Sequence, residues 1–281
     1  AWTVEPYRNG RGEPGFAEVP RDLKIYGLPT RVSINLDDSV IRRPMAGTTT
    51  GVPQALLNYH PVAREAWRLK AVIDREGHAV TSSFLAIRPC DASVSLEYLW
   101  ALLNSPVANA YVYCFLQKRN ILAGSVRLLP VPMALPAEVE LVATAASSYR
   151  DLAAQLQQTS ARTAPDLFGD KQPYANSAPD ESAVKSALLR LDAAVLRLYD
   201  LPPRLERQLL DLFTGVVRKG VGCDFRGYYP PGFKSYLPLH MVISDRFQRA
   251  AADASADRFK PGESAYVRDV LSAAAVGTEE E

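Results

Sequence analysis

Arg64, Arg68 and Lys70, with Trp67 among them and Arg75 just beyond, interleave cationic, polar and aromatic side chains in one short stretch. Arginine can bond bidentately to a guanine edge or a phosphate, which makes such a stretch a candidate for DNA contact. The same spacing also describes a solvated helix or loop face. Lys118-Arg119-Asn120 forms a second basic cluster with the same two readings.

Other constellations point toward catalysis and fall short of it. Tyr228-Tyr229-Pro230-Pro231 has the prolines of the Asn/Asp-Pro-Pro-aromatic tetrapeptide that binds the target amine in adenine methyltransferases. The amide or carboxylate that would accept the hydrogen bond is missing before Pro230, and Gly232 stands where the stacking aromatic belongs. The segment therefore reads as a structural turn. Gly215, Gly220 and Gly222 follow a helical pattern rather than a strand, so they lack the context of a cofactor-binding glycine loop. A metal-dependent nuclease needs carboxylates and a lysine at fixed positions around one cation. Asp180-Glu181 with Lys185, and Asp166 with Asp170-Lys171, have the residue types without the spacing; they read as a helix N-cap or a solvated loop. His60, His78 and His240 have no metal-ligand partner three or four residues on. Cys90, Cys114 and Cys223 are widely spaced and odd in number, which predicts buried thiols rather than a disulfide framework or a zinc site. No catalytic residue, cofactor or metal site is expected.

The elements that must position the basic groups follow from composition and periodicity. The chain has 281 residues, 47% of them hydrophobic, enough for a sizeable core and about two compact units. No apolar run approaches the roughly 18 residues of a spanning helix, and no signal pattern opens the chain, which predicts a soluble, cytoplasmic protein. The start at Ala1, in polar and glycine-rich sequence, reads as a piece excised from something longer. Net charge is +1, with 15 basic against 11 acidic residues up to Leu135 and 17 against 20 beyond it. A dedicated nonspecific nucleic-acid binder is far more basic. Charge alone therefore permits DNA binding without arguing for it.

Strands are predicted over 31–36 and 55–59 and, most clearly, over 79–89, where β-formers run up to Pro89. Ser95 is a helix N-cap followed by Leu96, Leu99, Leu102 and Leu103 on one face. Pro106 opens a second helix that would bury Val107, Ala110, Tyr111 and Cys114. Residues 124–132 read as a final short strand. A helix is expected over 136–156, a linker over 159–179, and a strong amphipathic helix carrying Val184, Leu188, Leu191, Val195 and Leu198. After Pro202-Pro203 a further helix would present Leu205, Leu209, Leu212 and Phe213, and the aromatic, proline-rich segment 225–233 would pack as an extended stretch on a neighbour.

Three ordered blocks give a resemblance. Leu102-Leu103-Asn104-Ser105-Pro106, then Lys118-Arg119-Asn120, then Leu129-Pro130-Val131-Pro132 resemble the target-recognition domains of type I restriction specificity subunits and TaqI-like adenine methyltransferases. In that family a "leu-leu-asn-ser-pro" helix leads through a basic loop to a strand ending in "pro-hydrophobic-pro". The run 191–201 is similar to the family's terminal helix. The resemblance covers 55–201 and leaves 1–54 and the aromatic segment after 220 unexplained. It implies a mixed α/β recognition domain that inserts loops into the major groove of double-stranded DNA, with helices docking it to a methyltransferase body or subunit. Lys118, Arg119 and Asn120 match the family's basic loop; Arg64, Arg68 and Lys70 correspond by position alone, and Arg75 completes the basic stretch.

The expectation is thus an α+β chain. It has an N-terminal extension with some strand (1–54), a recognition-like domain (55–135), a helical spacer (136–201) and a C-terminal helical and aromatic segment ending in a polar tail (202–281). Its expected function is sequence-specific DNA recognition in a restriction-modification or related methyltransferase system, without its own active site. Two alternatives stand beside it: a non-catalytic scaffold that keeps the recognition fold, and a nuclease with its active site after residue 200.

Overall fold

The computed structural model describes residues 4–6, 12–37, 39, 41, 46–91, 94–115, 120–162, 179–230 and 232–256. The strands are β1 (Val4–Pro6), β2 (Glu13–Phe16), β3 (Val32–Ile34), β4 (Gln54–Asn58), β5 (Ala71–Asp74), β6 (Ala79–Val80) and β7 (Phe84–Ile87). They form a four-stranded sheet, β1-β3-β2-β6, and a three-stranded sheet, β5-β4-β7. The second sheet is antiparallel throughout, pairing Ala55 with Ile73 on one side and with Ile87 on the other.

Period-two alternation sorts this sheet's side chains between two cores. Leu56, Val72 and Phe84 meet Phe16 and Val80 of the first sheet in a small apolar cluster. Ala55, Leu57, Ala71 and Ile73 point the opposite way, into the main core with the helices. All five residues of β4 are buried, the pattern of a central strand covered on both faces.

The helices are α1 (Leu96–Leu103), α2 (Pro106–Phe115), α3 (Ala123–Val126), α4 (Pro136–Arg162), α5 (Glu181–Tyr199), α6 (Pro203–Asp211), α7 (Leu239–Val242) and α8 (Asp245–Ala256). Ser95 caps α1 as expected, its Oγ accepting from Tyr98 N at 3.2 Å. Asp180 caps α5 through Ala183 N at 2.7 Å, which settles the first acidic motif as a helix start. The α5 stripe buries Val184, Leu188, Leu191 and Val195. α1 packs across β4 and β5, α4 crosses α1, and α5 lies along α4. One continuous core runs from Ile25 to Leu239, so the C-terminal segment shares it with the strands.

Several expectations are corrected. The run over 79–89 is two strands in different sheets, because a turn at 81–83 divides it: Phe84 N donates to Thr81 O, and the Thr81 hydroxyl bonds Ala17 O. Residues 124–132 form part of the short helix α3, a turn through Leu129 and an irregular run, not a strand. β5 lay hidden in the basic stretch. On α6 the inward positions are Glu206 and Leu210, while Leu205 and Leu212 are exposed. Cys90 and Cys114 are exposed rather than buried, as is the end of α2 that carries Cys114. Cys223 is partly buried, and burial pushes its thiol up to about 11, which disfavours the thiolate. Most of the expected linker, with Asp166, Asp170 and Lys171, lies outside the described residues. No described helix is long and apolar enough to cross a membrane.

Candidate nucleic-acid interface

The loop from Tyr59 to Lys70 joins β4 to β5, and its side chains divide by burial. Ala66, Trp67 and Leu69 are buried, whereas Arg64 is exposed and Arg68 partly exposed. Trp67 anchors the loop: its indole packs 4.3 Å from the Phe213 ring, and the Arg218 guanidinium lies 4.1 Å over it. A loop held by a buried aromatic presents its outer arginines at low ordering cost.

Buried asparagines complete the scaffold. Asn58 closes the loop, its Nδ2 donating to His60 O and Arg68 O while its Oδ1 accepts from Lys70 N at 2.6 Å. Asn109 Oδ1 accepts from both Arg68 N and Leu69 N at 2.8 Å, fixing the loop to α2. Asn104, the asparagine of the Leu-Leu-Asn-Ser-Pro block, meets the backbone of Ala71 as a neighbouring strand would: Oδ1 accepts from its N, and Nδ2 donates to its O, both at 3.0 Å. Ser105 Oγ accepts from Ala108 N, capping α2 just ahead of Pro106. The block that carries the resemblance therefore staples the helices to the β5 edge.

Beside the loop, Arg68 stands over the Tyr113 ring of α2 at 5.1 Å, and its Nη2 donates to Arg64 O. His60 Nδ1 lies 3.0 Å from Asn120 Oδ1, Asn120 Nδ2 donates to the Tyr59 hydroxyl, and Ile121 N donates to Tyr59 O at 2.8 Å. Two contact groups thus tie the loop to the α2 end, Arg64 and Arg68 with Tyr113 and Asn120 with His60 and Tyr59, and the basic residues alone did not single out the aromatic and histidine members. The signal for them was local: Tyr59-His60 follows directly on β4, and Tyr111, Tyr113 and Phe115 alternate at the end of α2. Phe115 is 73% exposed and stacks on Tyr111 at 5.0 Å. Glu65 of the same loop is exposed as well. Lys118 and Arg119 lie outside the described residues, in the short segment between Phe115 and Asn120.

Two expected contacts lie elsewhere. Lys70, expected at a DNA surface, is 2% exposed; its ammonium donates to Leu23 O at 2.9 Å and Arg21 O at 3.3 Å. Alternation sends this side chain to the face opposite Ala71 and Ile73, the face of Val72, where the segment carrying Leu23 covers it; burial, with Lys24 and Lys219 nearby, lowers its pKa to about 8. Arg75 emerges at the opposite end of β5 and pairs with Glu97 of α1, which Arg150 of α4 also approaches at 3.7 Å.

Near that end Asp74 and His78 form a buried pair, Nδ1 to Oδ1 at 2.7 Å, and the Asp74 carboxylate also accepts from Gln54 Nε2 and His78 N. These bonds hold the turn through Gly77, whose φ of +70° and close approach to the Val52 backbone require glycine. Among the described residues no group of three His, Cys, Asp or Glu side chains could hold a metal ion. The fold and surface together define a mixed α+β protein with a rigid cationic and aromatic loop beside a helix end. No family model, curated protein or solved structure matches the chain.

Proposed function

We propose that the chain is a sequence-specific DNA-recognition module of a restriction-modification or related adenine-methyltransferase system, with its chemistry supplied by a methyltransferase body or subunit. One observation carries the reading: the Tyr59–Lys70 loop meets the α2 end, with Arg68 over Tyr113 and Asn120 against His60 and Tyr59, so that exposed cationic and polar side chains of the loop lie beside the helix end. Such a surface combines groups that bind phosphates with groups able to read base edges.

Selection of duplexes from a random pool at two salt concentrations tests this. Enrichment of one sequence, with binding that weakens steeply as salt rises, is the expected result. Failure of well-folded protein to enrich any duplex, alone and joined to a methyltransferase body, would remove the DNA reading. A second reading, a protein-interaction scaffold, is favoured by an apolar groove beside β7.

A further inference from the structure

The outer edge of β7 plays no part in the basic surface. Tyr59 N donates to Ser83 O at 2.9 Å, and the same register pairs Leu57 with Leu85 and Ala55 with Ile87. Bonded and non-bonded pairs alternate along an antiparallel ladder, so Leu85 and Ile87 bond to β4 while the N–H and C=O of Ala86 point away from it. β7 is the outer strand of its sheet, and among the described residues no strand pairs with it on that side.

Every residue from Phe84 to Arg88 lines a groove of about 620 Å³ along this edge. A strand's face would contribute alternate residues; an unbroken run is the mark of its edge. The other wall includes Leu102 and Leu103 of α1, Val126 of α3 and Val131. The rim chain leaves Leu128, Val131 and Met133 well exposed. Arg88 and Arg127 are the charged residues of the lining, and no acid is among them. Exposed edges are normally shortened, charged or covered, and an apolar one beside an open groove is a template for an added strand.

We propose that this groove receives an extended peptide segment of a protein partner, apolar at alternate positions and acidic at one end, as a fourth strand on β7. The segment's backbone bonds Ala86, its apolar side chains fill the groove, and its carboxylate lies against Arg127. The strand would sit about 4.8 Å from β7. This docking does not depend on DNA recognition, and the absence of DNA binding would leave it standing.

Selection of a random dodecapeptide display library on the full chain, followed by fluorescence anisotropy of the enriched peptides, tests the proposal. The expected peptides alternate apolar residues and carry an acidic end. N-methylation scanned along such a peptide weakens binding at least tenfold at every second position, because only alternate amides face β7. Arg127→Glu weakens it similarly. Ala86→Pro removes an outward N–H without touching the β4 ladder, a change edge strands tolerate, and should abolish binding while circular dichroism stays unchanged. The N-methyl scan uses unaltered protein, so it decides the matter even where that variant misfolds. A scan without the two-residue period, indifference to Arg127→Glu, or a library that yields no such peptide overturns the proposal.

Discussion

Arg218 and Asp192 are joined by hydrogen bonds of 2.5 Å and 3.4 Å, with both side chains buried. The Tyr228 hydroxyl donates to the same carboxylate at 2.8 Å, and Arg218 Nη2 donates to Asn104 O at 2.7 Å. Burial pushes the Asp192 carboxyl up, with Arg218 and Tyr228 opposing it. Burial likewise disfavours the guanidinium charge, and Asp192 more than restores it. Because Arg218 also covers Trp67, this pair ties α5, the α1–α2 turn and the C-terminal aromatic segment to the base of the basic loop.

Asp192→Asn leaves a buried guanidinium without its counter-charge, and should cost about 3–5 kcal/mol, read from the denaturant midpoint. Replacing the pair together, Asp192→Leu with Arg218→Met, should recover only part of that loss, because the uncompensated charge is gone while the buried Tyr228 hydroxyl and Asn104 carbonyl lose their partners. A single variant as stable as the parent would show that water reaches the pair.

Asn104→Ala removes the partner of Ala71 N, which no other described group meets, while Ala71 O keeps the Trp100 indole N–H at 2.8 Å. One orphaned buried donor predicts a loss of about 1–3 kcal/mol. Hydrogen exchange supplies the specific check: the Ala71 amide should lose protection more than its neighbours in β5.

Lys70 gives a pH signature. Its pKa falls from 10.5 to about 8 in the folded chain, so between these values the unfolded chain holds more protons and this group's contribution to stability rises with pH. Below about pH 8 both states are protonated and the penalty for the buried charge is fully present. The stability difference between parent and Lys70→Met, measured from pH 7 to 9.5, should therefore move in the parent's favour as pH rises. A flat difference would place the ammonium in contact with solvent.

For DNA, Arg64→Ala should weaken binding to all duplexes and lower the salt slope by about 1 if the side chain meets a phosphate. If it reads a base, specificity should relax at one position at a cost of about 1–3 kcal/mol. Lys118→Ala with Arg119→Ala is expected to follow the same logic. Arg75→Ala, at the far end of β5, should leave affinity and slope unchanged. Loss of binding from Arg75→Ala, with none from the other variants, would relocate the interface to the α1–α4 end.

The sequence by itself determined the elements whose signals are local. Ser95, Asp180 and Pro106 mark helix starts because a cap or a missing N–H acts within one turn, and the Val184–Leu188–Leu191–Val195 stripe specifies a helix face through spacing alone. The turn around Pro230 was legible for the same reason. Only tertiary structure decided the rest. The 79–89 run has one β-forming composition, yet Thr81 bonding to Ala17, far away in the chain, divides it between two sheets. Lys70 and Arg64 belong to one basic stretch, and strand alternation against a distant core turns one inward while the other stays exposed. Asn104 and Asn109 look polar enough for a binding surface, but the backbone donors at Arg68, Leu69 and Ala71 require partners, and the fold supplies these side chains. Such pairings join residues remote in sequence, where periodicity and propensity carry no information about what lies opposite.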